Sequence, residues 1–239
     1  MIGQGATGVT KSLVLFSGGL DSTTALHWAL RRYDSVRALT FDYGQRHRVE
    51  VRLARATARS LGVPHEVFPL RLDRIGGSAL TDPSRPLPRP RRAEAIGPGV
   101  PATYVPFRNG VFLAVAAALA EARGIRDIVC GFNVIDSPHY PDTRPAFVEA
   151  MQRAVRRGTR PVAARDRIRI LAPFAGMKKS EIIRRGLSLR ADYSRSISCY
   201  AGGEVPCGRC SACLLRRRAW MEVGRPDPLL IRLEREGRR

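Results

Sequence analysis

The chain has 239 residues, of which 44% are hydrophobic and 26% are charged. This composition excludes a disordered or low-complexity chain, and the length is enough to bury a core without disulfide bonds. No apolar run approaches the roughly 18 residues that cross a membrane, and residues 1–10 lack the pattern of a signal peptide. We therefore expect a cytoplasmic protein without a membrane partner, in which clustered cysteines bind metal or act in catalysis.

The charge of the chain is strongly positive. Lysine and arginine number 41 against 21 aspartate and glutamate residues, which gives a net charge of +20. Such a charge is typical of proteins that bind nucleic acid. The only lysines, however, are Lys11, Lys178 and Lys179, and a scattered excess of arginine is also typical of a GC-rich genome. A nucleic-acid partner and an incidentally basic surface both stay open, and we favour the second.

The predicted elements alternate between buried strands and helices. Apolar runs predict the strands, and apolar residues at helical spacing predict the helices. In chain order we expect strand 12–16, helix 21–32, strand 36–41, helix 48–61, strand 65–70, helix 109–123, strand 127–130, helix 143–157, strand 168–171 and helix 179–186. This alternation predicts an α/β fold with a Rossmann-like, doubly wound sheet of five parallel strands.

Other segments interrupt the alternation. Residues 81–106 hold seven prolines and predict an insert without regular structure, which is either functional or a surface excursion. Residues 191–225 contain four of the five cysteines. We therefore predict a main domain at 11–190, a small metal-binding segment at 191–225, and tails at 1–10 and 226–239 that add little.

The loop after the first strand has the composition of a phosphate-binding site. Residues 17–23 read Ser-Gly-Gly-Leu-Asp-Ser-Thr. Glycines allow a tight turn, and backbone N–H groups at the start of a helix bind phosphate. Ser17 and Ser22 can add hydroxyl groups, and Asp21 places a carboxylate beside the anion, which indicates a bridging magnesium ion. The loop lacks the third glycine of the dinucleotide-binding pattern and the lysine of the P-loop.

Four cysteines near the C-terminus predict a metal site. Cys199, Cys207, Cys210 and Cys213 are spaced C-x7-C-x2-C-x2-C. Four thiolates suit a tetrahedral structural zinc ion, because they leave no open position for water. An iron–sulfur cluster is the alternative. The fifth cysteine, Cys130, lies in an apolar strand and is expected to be an inert core residue.

Several motifs resemble those of a known family. SGGLDS at 17–22, directly after a strand, resembles the signature of the PP-loop family of ATP pyrophosphatases. Further segments resemble one branch of it, the 7-cyano-7-deazaguanine synthase family of queuosine biosynthesis. They follow the strand ends in the family's order: DYGQRH at 42–47 with Glu50, GSALT at 77–81, YVPFRN at 104–109, YPDTRP at 140–145 and SCY at 198–200. The resemblance runs from about residue 12 to residue 218.

The chain departs from the family pattern at two places. Phe107 stands where the family commonly has alanine or glycine. Residues 136–144 read DSPHYPDTR where the family often has DYSGYPDCR, so that Ser137, Pro138 and His139 alter a loop expected near the substrate. These departures concern substrate detail rather than the ATP chemistry.

The resemblance implies an ATP-dependent carbon–nitrogen ligase. It implies conversion of 7-carboxy-7-deazaguanine and ammonia to 7-cyano-7-deazaguanine through an acyl-adenylate and an amide, with release of AMP and pyrophosphate. It also implies ATP, magnesium and zinc as ligands, and a homodimer. The residues implied in catalysis are Asp21, Lys179 and Arg108. Those implied in ATP binding are Phe16, Ser17, Gly18, Gly19, Leu20, Asp21, Ser22, Thr23 and Lys179. Those implied in substrate binding are Tyr43, Arg108, Asn109, Tyr140, Asp142 and Arg144.

Aromatic and histidine side chains in the same motifs suit further roles. Tyr43, Phe107 or Tyr140 can stack on the heterocycle, and His47 and His139 are candidate proton carriers. Three other functions stay open. These are transfer of the activated deazapurine to a protein amine, modification of transfer RNA by a PP-loop enzyme, and nucleotide binding by a regulator without turnover.

Overall fold

A computed structural model describes residues 9–90, 93, 96, 99–135, 139–162 and 166–238. The described residues form five strands, β1 (Lys11–Leu15), β2 (Ser35–Asp42), β3 (His65–Pro69), β4 (Asp127–Val129) and β5 (Arg169–Leu171). They also form seven α-helices, α1 (Leu20–Leu30), α2 (Val49–Ser60), α3 (Arg108–Ala122), α4 (Pro145–Gly158), α5 (Lys179–Ser188), α6 (Ser211–Val223) and α7 (Pro228–Arg235). The ten predicted elements are all present, with boundaries that differ by at most two residues.

The strands form one all-parallel sheet in the order β3-β2-β1-β4-β5. β1 pairs with β2 from Lys11 opposite Ser35 and with β4 from Ser12 opposite Asp127. The chain runs outward from β1 to β3 and then crosses to the other side of β1 to form β4. Ligands bind at such a reversal of strand order, outside the carboxyl ends of the strands. The prediction of a doubly wound, five-stranded parallel sheet is confirmed.

Both faces of the sheet are covered by helices. One face packs against α3 and α4 through a buried cluster that includes Leu13, Leu39, Leu113, Ile128 and Val155. The other packs against α1, α2 and α5 through a second cluster that includes Val14, Leu26, Ala54, Val129 and Ile182. Because successive strand residues point to opposite faces, β1, β2, β4 and β5 each contribute to both clusters. This packing holds the carboxyl ends of the strands at one edge, where the loops meet.

The C-terminal region packs on this sheet domain. Trp220 of α6 lies in a buried cluster with Tyr193 and Leu20. Leu229 and Leu233 of α7 are buried in a cluster that also contains three of the four clustered cysteines. The prediction that residues 226–239 add little is therefore wrong, since α7 covers the cysteine segment.

The proline-rich insert is closed at its base. The amide of Ala79 donates to the carbonyl of Ala102 at 2.7 Å, and Leu80 and Thr81 are buried. Between these points, the insert's described residues form turns and bends without an α-helix or a β-strand, as expected. No helix within the described ranges is long and apolar enough to cross a membrane.

Candidate active site

The loop between β1 and α1 is shaped to hold an anion. Gly18 has a φ of +78°, a left-handed conformation that glycine adopts without strain. Gly19 directly precedes α1, so the N–H groups of the first helical turn are free to bind a ligand. The hydroxyl oxygens of Ser17 and Ser22 lie 3.1 Å apart. The loop thus offers both backbone N–H groups and hydroxyls to a phosphate.

An ion pair joins this loop to the start of α5. The ammonium of Lys179 donates to Oδ2 of Asp21 at 2.7 Å, and both side chains are mostly buried. The other oxygen of this carboxylate, Oδ1, is buried and has no hydrogen-bond partner among the described residues. An unpartnered carboxylate oxygen beside an anion site is a ligand that Mg²⁺ prefers. Asp21 therefore fits a magnesium ion, and Lys179 fits a polyphosphate beside it.

The end of β4 approaches the same loop closely. A Cβ on Gly131 would lie 2.8 Å from the carbonyl oxygen of Asp21 and 2.9 Å from the amide nitrogen of Ser22. These separations are shorter than van der Waals contact, so only glycine fits here. Sequence reasoning missed Gly131, although a glycine directly after a predicted strand is a signal of close backbone approach.

One cavity of about 290 Å³ joins the predicted ATP-binding and substrate-binding residues. On the loop side its wall includes Phe16, Ser17, Gly19, Leu20, Asp21, Ser22 and Lys179. On the far side, here called the aromatic end, the wall includes Tyr43, His47, Glu50, Arg108, Asn109, Phe112, Tyr140 and Tyr200. Gly18 and Thr23, which were also predicted to bind ATP, are not among the described residues that line the cavity. The cavity therefore runs from a phosphate site to a ring of aromatic side chains.

Arg108 places a cation at the aromatic end. Its Nη1 donates to the hydroxyl of Tyr43 at 3.3 Å, and its guanidinium carbon lies 5.7 Å from the ring centres of both Tyr43 and Phe112. Its Nε is buried with no hydrogen-bond partner in the described part of the chain. A buried guanidinium with an unused N–H group fits an anionic ligand, such as a carboxylate or a phosphate.

Glu50, Gln45 and His47 form a buried polar cluster at the same end. Nε2 of Gln45 donates to Oε1 of Glu50 at 3.2 Å, and Nε2 of His47 lies 3.4 Å from the same oxygen. Burial raises the pKa of Glu50 to about 8 and lowers the pKa of His47 to about 4. Burial therefore disfavours the charged form of both side chains in the free protein. The sequence motif contains all three residues, but it gave no sign that Glu50 faces the cavity.

Two predicted substrate residues lie away from the cavity wall. Oδ2 of Asp142 accepts a hydrogen bond of 2.9 Å from the amide of Asn109, which itself lines the cavity. Arg144 is exposed just before α4. Neither Asp142 nor Arg144 belongs to the wall as the described residues define it, so their binding roles stay predictions. Tyr140 does line it, with its hydroxyl 2.8 Å from Oγ1 of Thr103.

Phe107, and His139 of the altered loop, do not belong to the described wall of the aromatic end. Phe107 is 53% exposed, has a φ of +51°, and its ring lies 5.8 Å from that of Phe147. It is not among the described residues that line the cavity, so its stacking role stays a prediction. Ser137 and Pro138 lie outside the described residues; His139 is described and half-buried, and its role also stays a prediction.

The four clustered cysteines are arranged to hold a metal ion. Their Sγ atoms all lie within 4.8 Å of one another, and three of the four residues are buried. A zinc ion bonded tetrahedrally to four thiolates at about 2.3 Å places its sulfurs about 3.8 Å apart, which lies within this limit. The amide of Cys207 donates to Sγ of Cys199 at 3.3 Å, which stabilises a thiolate. The donor set therefore fits a closed, tetrahedral zinc site. Cys130 lies outside this cluster, and burial raises its pKa to about 12.

The cysteine segment is attached directly to the phosphate loop. The amide of Ile197 donates to the carbonyl of Gly18 at 3.0 Å, and Ile197 lines the cavity. Arg216 of α6 also lines the cavity and pairs with Asp227 through bonds of 2.5 and 2.7 Å. Sequence reasoning missed both residues, because their contacts join segments that are far apart in the chain.

Comparisons with known proteins agree with these motifs. A family described as "Queuosine biosynthesis protein QueC" matches residues 11–224. The 7-cyano-7-deazaguanine synthase of Thermosynechococcus vestitus is 46% identical over 220 residues, which cover 92% of this chain and 94% of that protein. The 7-cyano-7-deazaguanine synthase of Thermoplasma acidophilum is 45% identical over 223 residues, which cover 92% and 91%.

Among solved structures, a 4-thiouridine synthetase in complex with RNA and ATP is similar to this chain. The TM-score is 0.50 at 21% sequence identity, and the match covers 96% of this chain and 53% of that one. At this level of identity the likeness shows the fold alone.

Proposed function

Because the chain belongs to the QueC family of queuosine biosynthesis proteins, we propose that this ATP-dependent enzyme converts 7-carboxy-7-deazaguanine and ammonia to 7-cyano-7-deazaguanine. The observation that carries the proposal is the single cavity. It joins the phosphate loop to an end lined by aromatic and polar side chains, which suits a flat heterocycle. ATP would bind at the loop and the substrate at the aromatic end, with the reacting groups between them.

The first step brings two anions together. A carboxylate oxygen of the substrate attacks the α-phosphorus of ATP, the bond to the β-phosphate breaks, and pyrophosphate leaves. Lys179 lies at the phosphate loop, where its charge offsets that of the polyphosphate. Arg108 lies at the aromatic end, where its unused Nε can hold the substrate carboxylate. Fixed cations of this kind lower the barrier by stabilising charge that develops in the transition state.

The later steps use the same site twice. Ammonia attacks the acyl carbon of the adenylate, a proton is lost, and AMP leaves, which gives the amide. A second ATP activates the amide oxygen in the same way. The amide nitrogen then loses its two protons as AMP departs, and the nitrile remains. Because the activated atom is an oxygen on the same carbon in both rounds, one arrangement of phosphate loop and cations serves both.

Two metal ions are part of the proposal. Asp21 would hold magnesium through its unpartnered Oδ1, and the ion would supply positive charge that offsets the negative charge of the reactants. The four cysteines would hold zinc as a structural ion. Asp21 and Lys179 meanwhile position each other through their ion pair.

The proposed partners are small molecules. We infer a homodimer from the family resemblance and place it in the cytoplasm, with free ammonia or an ammonia-supplying protein as the nitrogen source. The net charge of +20 is then a property of the surface, since a free heterocycle needs no nucleic-acid partner.

Mass spectrometry tests this function directly. The purified protein is incubated with ATP, magnesium, ammonium and 7-carboxy-7-deazaguanine, and the same mixture without ammonium is the control. We expect the nitrile together with AMP and pyrophosphate, and no nitrile in the control. AMP without nitrile in the complete mixture would point to another acceptor, a protein amine or an RNA. Unchanged ATP and substrate would overturn the proposal.

A further inference from the structure

Glu50 is a buried carboxyl group that lacks a charged partner. Its side chain is only 12% exposed, and the residue lines the aromatic end of the cavity. Oε1 receives one hydrogen bond, from Gln45. Within the described part of the chain, no hydrogen bond reaches Oε2 and no lysine or arginine forms an ion pair with Glu50. Buried carboxylates are normally paired or fully hydrogen-bonded, so this group has capacity for ligand donors.

Gln45 fixes the direction of this carboxyl group. Its Oε1 accepts from the amide of Tyr43 at 2.7 Å, and its Nε2 donates to both the carbonyl of Phe41 and Glu50 at 3.2 Å. Every polar atom of the Gln45 amide is therefore occupied, and its orientation is set by the backbone at the end of β2. A side chain held in this way is preorganised for a ligand rather than free to turn away.

The surroundings of Glu50 favour a flat ring with N–H donors. His47 is next to it, and the ring centres of Tyr43 and Tyr200 lie 6.3 and 6.0 Å from that of His47. A guanine-like ring carries N1–H and the 2-amino group side by side, which matches the two oxygens of a carboxylate. Adenine instead presents one donor beside an acceptor nitrogen, so a carboxylate can pair with it only once.

We propose that Glu50 binds the N1–H and 2-amino groups of the deazapurine and so selects a guanine-like ring. This inference rests on the proposed function. The 7-carboxyl group is on the other ring of the bicycle, so binding of the N–H edge at the aromatic end directs the carboxyl group toward the phosphate loop. Asp142, one of the predicted substrate-binding residues, does not belong to the described cavity wall, whereas Glu50 lies on that wall at the aromatic end.

Recognition of the 2-amino group by Glu50 is tested by combining a substitution at Glu50 with a substrate that lacks this amino group. The variant is Glu50→Gln, which keeps the shape of the side chain but replaces one acceptor oxygen by a donor. The matched control is Glu149→Gln, on the exposed side of α4. Each protein is assayed with 7-carboxy-7-deazaguanine and with the analogue that lacks the 2-amino group. The readouts are kcat/KM for nitrile formation, KM for ATP, and binding of each heterocycle without ATP by calorimetry.

The expected result is a loss of discrimination. Wild type and Glu149→Gln should prefer the amino-bearing substrate by about 10- to 100-fold, because the two N–H groups of the ligand favour the ionised form of Glu50 and hydrogen bonds to a charged group are strong. Glu50→Gln should reduce this preference below about threefold, in both rate and binding, with KM for ATP changed by less than about threefold.

Other outcomes overturn the inference in distinguishable ways. An unchanged preference in Glu50→Gln means that another group binds the 2-amino side. A selective rise in KM for ATP means that Glu50 contacts adenine instead. A wild type that binds neither heterocycle and makes no nitrile rejects the proposed function and this inference together. If Glu50→Gln fails to fold, equal rates and binding of the two heterocycles by wild type would still refute recognition of the 2-amino group.

Discussion

The amide nitrogen of Ile197 donates a hydrogen bond of 3.0 Å to the carbonyl of Gly18. Gly18 belongs to the phosphate loop, and Ile197 precedes the first of the four clustered cysteines by two residues. The cysteine segment is therefore joined to the phosphate loop by a direct backbone hydrogen bond. A metal ion held by the cysteines would stabilise the backbone that supports the loop.

Loss of one cysteine should disturb both the metal site and nucleotide binding. For Cys207→Ser we expect loss of bound zinc, a fall in melting temperature of several degrees, and a higher KM for ATP. Metal analysis, a thermal melt and ATP titration measure these effects. The control is Cys130→Ala, which removes a buried thiol outside the cluster and should keep the metal. Full metal content and an unchanged melting temperature in Cys207→Ser would refute a structural four-cysteine site.

Lys179→Ala should separate catalysis from folding. Removing the ammonium takes away a cation at the phosphate loop, and we expect nitrile formation to fall by about 10²- to 10³-fold. The fold should tolerate the change, because Lys179 is the first residue of α5 and packs in no core cluster. Lys178→Ala is the matched control, since Lys178 is exposed and its backbone amide, not its side chain, bonds to Glu181. Equal rates in the two variants would remove Lys179 from the site.

Glu50 should make stability depend on pH. Its pKa rises from 4.5 to about 8 in the folded protein because burial disfavours the charged form, with Asp42 adding a smaller effect and Arg108 and Gln45 opposing it. His47, the other titratable neighbour, is neutral above pH 5. The folded state therefore holds a proton that the unfolded state releases, and this stabilisation is lost as pH rises from about 4.5 through 8.

Glu50→Gln removes that titration. The melting temperature of the variant minus that of wild type should increase by several degrees between about pH 5 and pH 8. Above pH 8 this difference should stay constant. Thermal melts across this pH range measure the difference, and Glu149→Gln should show none. A flat difference for Glu50→Gln would mean that Glu50 is already ionised in the folded protein.

The pair between Arg216 and Asp227 should be important for stability. Both side chains are more than nine-tenths buried, and Asp227 also caps α7 by accepting from the amide of Leu229 at 3.0 Å. Asp227→Ala leaves a buried guanidinium without its partner, which costs about 3–5 kcal/mol. The melting temperature should fall by about 10 °C.

The matched control for Asp227→Ala is Glu236→Gln. It breaks exposed ion pairs with Arg232 and Arg238 and should cost less than about 1 kcal/mol. Denaturant unfolding compares the two variants. Similar stabilities would show that the buried pair between Arg216 and Asp227 contributes no more than an exposed ion pair.

The sequence was most informative where a short segment determines its own structure. A short apolar run such as 12–16, followed directly by glycines, predicts a buried strand, and the loop at 17–23 then lies at a strand end. The approach of Lys179 to Asp21 spans most of the chain, and only the family resemblance indicated it.

Features that depend on tertiary contacts were missed. The burial of Glu50 depends on α2 packing beside the phosphate loop, which no local pattern reveals. The helix α7 did have local signals, since Asp227 and Pro228 are a cap and a first-turn residue. The arginines around these two residues instead favoured the prediction of a solvated tail.

Phe107 and Gly110 occupy a space that admits only one side chain. A Cβ on Gly110 would overlap the ring of Phe107, and Phe107 itself has a left-handed backbone that a glycine would adopt without strain. A residue larger than glycine at 110 therefore requires the half-exposed ring of Phe107 to swing aside, so the choice of residue at one of these positions affects what the other tolerates.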